Sequence, residues 1–153
     1  MKNTLKIFVA AALCLAATSC ADKSPQDREM DRFISSLMKR MTFEEKVGQL
    51  NMPDHGTMTT GTGASFNIEE RIIKGEAGAI LNARGYKKIY ELQHLAVDSS
   101  RLGIPLLFGM DVIHGYQTVF PIPLGLSCTW DMDAVEESAH IAAVEASADG
   151  TNW

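Results

Sequence analysis

Asp111 closes a wholly apolar run, Ile104-Pro-Leu-Leu-Phe-Gly-Met110, and after Val112 and Ile113 come His114, Gly115 and Tyr116. An apolar run of this length, opened by a proline and lacking alternation, suits a strand buried on both faces of a parallel sheet. A carboxylate at the carboxyl end of such a strand stands where α/β folds place their ligands. It is also where an aspartate often does no more than cap the following loop, and the residue types alone leave both readings open. Glu44 and Glu45 are two adjacent acids that could be mistaken for a catalytic pair. They fall in the first turn of a helix, where negative charge complements the helix dipole, and a structural role is expected for them.

The cysteines carry less chemistry. Cys14 lies in the apolar leader and Cys20 ends it, which leaves Cys128 without an internal disulfide partner. No Cys or His spacing suggests a metal site, and Cys128 is expected to be a small buried apolar residue. His55, His94 and His140 form no constellation and are expected in loops or facing solvent. Trp130, just before the capping Asp131, is expected to be a packing residue. A net charge of −5 with no basic cluster argues against a nucleic-acid partner.

Residues 1–20 stand apart from the fold. Lys2 and Lys6 precede an apolar segment, Ile7 to Ala17, too short to span a bilayer comfortably. Ala17-Thr18-Ser19 then leads into Cys20, a pattern similar to a bacterial lipoprotein processing site with Cys20 as the lipidated residue. An ordinary signal peptide cut nearby is the alternative. Either way the chain is expected to be exported, to the periplasm or the outer membrane, touching a membrane only through the anchor at Cys20.

The rest, residues 21–153, divides into elements with local signals. Ser24-Pro25-Gln26-Asp27 starts a first helix, with Met30, Phe33, Ile34, Leu37, Met38 and Met41 as its apolar stripe. Thr42-Phe-Glu-Glu45 is a capping box for a short helix through Val47 and Leu50. Pro53 to Ser65, rich in Thr and Gly, is expected to be a surface loop. Asn67 caps a third helix stopped by Gly75, and Gly78 to Asn82 follows as a buried strand. A helix from about Lys87 to Leu102 turns Ile89, Leu92, Ala96 and Ser99 inward and closes at Gly103. The strand Pro105 to Met110 then delivers Asp111. Asp131 caps a last helix to Asp149, with Val135, Ala139, Ala142 and Ala146 inward, and Thr151-Asn-Trp153 begins another strand. Strands alternating with helices mean right-handed βαβ units and a parallel sheet. A (β/α)₈ barrel needs roughly 250 residues, so the chain is expected to be the amino-terminal part of something longer. Taken alone it is expected to expose apolar faces and to be poorly soluble.

Four passages together resemble the amino-terminal domain of glycoside hydrolase family 3, within its branch of periplasmic β-glucosidases. They are Met41-Thr-Phe-Glu-Glu-Lys-Val-Gly-Gln-Leu50, Glu76-Ala-Gly-Ala-Ile-Leu-Asn82, Asp98 to Tyr116, and Thr118-Val-Phe-Pro-Ile-Pro-Leu-Gly-Leu126. The helix Asp133 to Asp149 with Gly150-Thr-Asn-Trp153 extends the likeness over nearly all of residues 21–153.

The resemblance implies an α/β fold, the amino-terminal part of a (β/α)₈ TIM-type barrel that is incomplete in this chain. It implies retaining hydrolysis of terminal β-D-glucosyl residues from β-glucosides and oligosaccharides, without a cofactor. Asp111, at the end of the second barrel strand, is then the substrate-binding residue, taking two adjacent sugar hydroxyls in a charge-assisted contact. His114 is expected to shape the neighbouring loop by hydrogen bonding and Tyr116 by packing. Retaining hydrolysis needs two carboxyl groups about 5–5.5 Å apart. The family places its nucleophile late in the barrel and its acid/base in a following domain, so no catalytic residue is expected within residues 21–153, and this stretch alone is expected to be inactive. The same fold with β-xylosidase or β-N-acetylhexosaminidase specificity is an alternative, as is a non-catalytic remnant.

Overall fold

The computed structural model describes residues 23–55 and 67–153. Two compact units divide the chain, Met1–Arg40 and Met41–Trp153. The described part of the first is one helix, α1 (Pro25–Arg40). Its start is local chemistry. The Ser24 hydroxyl accepts from the Asp27 N–H at 3.1 Å and the Asp27 carboxylate accepts from the Ser24 N–H at 3.1 Å, which satisfies two groups that a helix end leaves without partners.

The second unit begins with α2 (Phe43–Gly48), and its capping box is fully formed. The Glu45 N–H donates to the Thr42 hydroxyl at 3.2 Å and the Thr42 N–H to the Glu45 carboxylate at 2.8 Å. There follow α3 (Ile68–Lys74), β1 (Ala79–Leu81), α4 (Tyr86–His94), β2 (Leu107–Gly109), α5 (Pro123–Ser127) and α6 (Met132–Ala148). Gly75 stops α3 in the left-handed conformation, as expected. Asn67 stands at the start of α3 but makes no capping bond, because its own backbone is left-handed and its side chain reaches Glu70 instead.

β1 and β2 pair in parallel, Ala79 with Leu107 and Leu81 with Gly109. Two further segments extend this pair. On one side the Gly78 N–H donates to the Asn51 carbonyl and the Leu81 N–H to the Pro53 carbonyl, while the His55 N–H returns to Leu81. On the other, the Trp153 N–H donates to the Phe108 carbonyl and the Met110 N–H to the Trp153 carbonyl. The ladder therefore runs 51–55, β1, β2, 152–153. This corrects two expectations. Pro53 and Asp54 are sheet residues rather than the start of a loop, and β2 is third in line rather than second. Pro53 fits because a proline at a sheet edge lacks only the N–H and still offers its carbonyl.

The core lies on one face of this sheet. Ile80, Leu106 and Phe108 point into a cluster with Ile68 and Ile72 of α3 and Ile89, Leu92 and Ala96 from the α4 segment. The other face is more open: Leu107 is 52% exposed among the described residues. The expected burial of β2 on both faces is therefore met only in part: on this second face Leu107 is exposed, while Gly109 is buried with Trp153, Leu81 and Met52 close by.

The helix after β1 also departs from expectation. α4 passes into one wider, π-helical turn, Leu95–Ser99. The extra residue shifts the phase, so Ser99 faces solvent, and the hydroxyl of Ser100 bonds back to the Ala96 carbonyl. In α6 the buried residues are Ser138, Ala142 and Ala146. Ser138 replaces the expected Ala139, and its hydroxyl is satisfied by the Val135 carbonyl at 2.8 Å.

Candidate functional site

The carboxyl ends of the strands collect the polar groups. The Gly109 carbonyl accepts from the Asn82 N–H at 2.9 Å, and the Met110 N–H bonds Trp153, so the chain leaves the sheet at Asp111. Asp111 is exposed, and its Oδ1 accepts from the N–H of Ile113 at 3.1 Å. That bond is the cap expected of a strand-end aspartate, and it leaves Oδ2 open to solvent. The cap therefore occupies one oxygen of the carboxylate and not the other.

Asp54 and Asn82 end the two preceding ladder segments, and the Asn82 amide donates to Asp54 Oδ1 at 3.1 Å. Neither stood out in the sequence. Asn82 has a left-handed backbone, which asparagine tolerates better than most residues, and an asparagine ending an apolar strand was the available signal.

The loop after Asp111 is tightly folded. The Gly115 N–H donates to the Val112 carbonyl at 3.0 Å and the Phe120 N–H to the His114 carbonyl at 2.8 Å. Gly115 has φ +112, and a Cβ there would stand 1.9 Å from the Thr118 carbonyl oxygen, so only glycine fits. Two carboxylates of the last turns of α6 hold this loop. Glu145 Oε2 accepts from the N–H groups of Gln117 and Thr118, each at 2.8 Å, and Oε1 accepts from the Thr118 hydroxyl at 2.6 Å. Asp149 accepts from the Tyr116 hydroxyl, and from the N–H groups of Gly85 at 2.8 Å and Tyr86 at 3.0 Å at the start of α4.

The electrostatics follow from these bonds. The Thr118 hydroxyl and N–H donors hold the Glu145 carboxyl below its usual range. The Tyr116 hydroxyl, with the Gly85 and Tyr86 N–H groups, does the same for Asp149. Burial first, and then the bond to Asp149, pushes the Tyr116 phenol up to about 12. The guanidinium of Arg84 lies 5.5 Å from the centre of the Tyr116 ring. Tyr116 thus shapes the loop by hydrogen bonding as well as packing. His114 is exposed and contributes its backbone carbonyl.

Elsewhere the structural readings hold with three exceptions, Cys128, Trp130 and His55. His55 is half-buried in the sheet ladder, its backbone N–H donating to the Leu81 carbonyl. Glu45 is buried in its capping box and paired with Arg101, whose Nε donates to Oε1 at 2.9 Å and Nη2 to Oε2 at 2.5 Å. The Arg101 bond, with that from Thr42, holds the Glu45 carboxyl below its usual range. Cys128 is exposed, not buried, because it follows α5 on the outer loop; its thiol donates to the Leu124 carbonyl. Trp130 is 95% exposed with left-handed backbone, so the packing expected of it is not made among the described residues. His94 and His140 are exposed, and His94 pairs with Asp98 at 2.8 Å on the surface of the α4 segment. No group of three His, Cys, Asp or Glu that could hold a metal occurs among the described residues. A cavity of about 500 Å³ lies between the loop and α6, lined by apolar side chains such as Val112, Ile113, Phe120, Leu126 and Val135. Its polar lining comes from His114, Ser127 and Ser138. Cys20 lies outside the described residues.

Residues 42–153 match the glycosyl hydrolase family 3 N terminal domain. The chain belongs to this family. It is 41% identical over 122 residues to the periplasmic beta-glucosidase of Salmonella typhimurium, covering 80% of this chain and 15% of that protein. It is 26% identical over 147 residues to the lysosomal beta glucosidase of Dictyostelium discoideum, covering 80% of this chain and 18% of that one. Among solved structures, the beta-glucosidase of Listeria innocua in complex with isofagomine superposes with a TM-score of 0.67 at 35% identity, over 79% of this chain and 17% of that one. The same enzyme in complex with glucose gives 0.64 at 32% identity, over 79% and 18%. The chain therefore spans less than a fifth of the length of these relatives. Its fold is α/β of the TIM-barrel type, and the described family 3 strands form an arc of such a barrel.

Proposed function

We propose that this chain is the amino-terminal portion of an exported β-glucosidase that removes terminal β-D-glucosyl residues by a retaining mechanism, with Asp111 gripping the terminal sugar. The observation that carries this reading is the exposed Asp111 carboxylate at the carboxyl end of β2, in a chain 41% identical to a periplasmic beta-glucosidase. The bond from Ile113 orients one oxygen and leaves the carboxylate able to accept from two neighbouring hydroxyls. Glucose and laminaribiose, both bound in solved structures of the Listeria enzyme, suit this substrate class.

Asp111 cannot act as both nucleophile and acid/base, which a retaining mechanism keeps about 5–5.5 Å apart. Both groups belong to sequence beyond residues 21–153, and those residues alone do not turn over substrate. Residues 1–20 direct export, and Cys20 carries the lipid that keeps the enzyme at the membrane of the periplasm.

The test is Asp111→Asn and Asp111→Ala in the enzyme that carries this chain, assayed on an aryl β-glucoside. The expected loss in kcat/KM is on the order of 10²-fold, that of one strong active-site hydrogen bond. An unchanged rate removes Asp111 from the site, and faster cleavage of an aryl β-xyloside by the wild type overturns the choice of sugar.

A further inference from the structure

The carboxylates of Glu145 and Asp149 stand one helical turn apart on α6 and between them accept six hydrogen bonds from two strand-to-helix loops. We infer that Glu145 and Asp149 are positioning residues that set the geometry of the Asp111 loop and thereby the grip of Asp111 on the sugar. This rests on the functional reading of Asp111 given above.

The loop has few other restraints. Its internal bonds, Gly115 to Val112 and Phe120 to His114, close the turn on itself without tying it to the sheet. The tie to the body of the domain comes from α6. Two consecutive backbone N–H groups, of Gln117 and Thr118, converge on one Glu145 oxygen. A pair of N–H groups aimed at one point forms a small anion cradle, and a charged acceptor in it is bonded more strongly than a neutral one. Asp149 holds the neighbouring loop with both oxygens, Oδ2 taking the Gly85 N–H and Oδ1 the Tyr86 N–H. It takes the free N–H groups that open α4, and the Tyr116 hydroxyl joins the two loops through it. α6 leads directly to the 152–153 segment hydrogen-bonded to β2, so the clasp is fixed to the strand from which Asp111 emerges.

Alternative roles fit less well. As general acid or base these carboxylates would need a free oxygen facing substrate, and the Glu145 oxygens are both engaged by the loop. As a plain helix-end charge pair they would be misplaced. Acids near a helix carboxyl end oppose its dipole, and a countervailing set of donors must hold them there.

The experiment measures kcat and KM for an aryl β-glucoside in the enzyme that carries this chain, for Glu145→Ala and Glu145→Gln, each with Asp111 intact and with Asp111→Asn. Glu145→Ala is expected to lower kcat/KM by about 10- to 100-fold, since a misplacement near 1 Å at a positioned group reaches that size. In the Asp111→Asn background the further loss is expected to be less than about twofold, because the effect passes through Asp111. Glu145→Gln keeps a carbonyl oxygen for the two N–H groups and is expected to recover most of the activity. An equal loss in both backgrounds, or no loss in either, overturns the inference. Amide hydrogen exchange of Gln117 and Thr118 provides an arm that does not depend on turnover. Glu145→Ala should expose both to faster exchange, and unchanged protection also overturns the inference. A wild-type enzyme that cleaves no β-glucoside refutes the proposed function instead, and exchange still decides whether the clasp exists.

Discussion

Replacing Gly115 by alanine tests whether the loop that carries Asp111 has the shape described. The Cβ would stand 1.9 Å from the Thr118 carbonyl oxygen, and such atoms do not approach within 3.0 Å, so the backbone must part by more than about 1 Å. The φ of +112 adds strain for any side chain, about 1–3 kcal/mol for a residue held in so sparsely populated a region. The loop is at the surface and can yield, so the loss of stability should stay near that range. The displacement reaches the Thr118 N–H that Glu145 accepts, and through the turn it reaches Asp111. A shift of about 1 Å in a positioned group costs about 10²-fold in rate. Gly115→Ala in the enzyme that carries this chain is therefore expected to lower kcat/KM on an aryl β-glucoside by about that factor, with a modest drop in Tm. Gly103→Ala is the control. It also has a positive φ, +62, but its Cβ would meet only the Val97 carbonyl at 3.1 Å, in the connection leading into β2. It should lower Tm by a comparable amount and leave kcat/KM alone. If Gly115→Ala left both quantities unchanged, or if Gly103→Ala reduced the rate as much, the link from loop geometry to sugar binding would be wrong.

Two further outcomes follow from the charges and the leader. The carboxyls of Glu45 and Asp149 sit below their usual range in the folded chain, so the stability they supply is present above the ordinary carboxylate pKa and lost as pH falls through their lowered values. Tyr116, pushed up to about 12, has the opposite sign: its contribution is present below about pH 10 and lost as pH rises from there towards 12. A scan of Tm against pH should fall below roughly pH 4.5, and Tyr116→Phe should flatten the alkaline limb; an alkaline slope identical to wild type refutes the assignment. For Cys20, cells fed radiolabelled palmitate should label the wild-type protein and not Cys20→Ser, which should also leave the membrane fraction. An unlabelled wild type refutes the anchor.

Helix starts and stops were legible because their chemistry is local. The Ser24–Asp27 and Thr42–Glu45 boxes form between residues three apart, and Gly75 stops α3 through its own backbone. The apolar run into Asp111 was legible for a similar reason, since a strand without alternation advertises burial. Less visible were features that need a partner far along the chain. Asn51 to Asp54 joins the sheet through backbone bonds to residues 78–81, about 27 positions away, and a proline followed by Thr- and Gly-rich sequence looks like a loop. The π-helical turn at Leu95–Ser99 moves the inward position from Ser99 to Ser100, which helical periodicity cannot register.

The sequence by itself determined the family, most of the helices and the place of Asp111 at a strand end, because those rest on residue types at short spacing. It did not show the 51–55 ladder segment or α5. The tertiary structure alone decided what holds Asp111 in place. Glu145 and Asp149 look like ordinary surface acids on an amphipathic helix, and they meet their donors 27 to 64 residues away only once β2, its loop and α6 are packed. A hydrogen bond depends on distance in space, and sequence spacing carries that distance only within a turn or a helix.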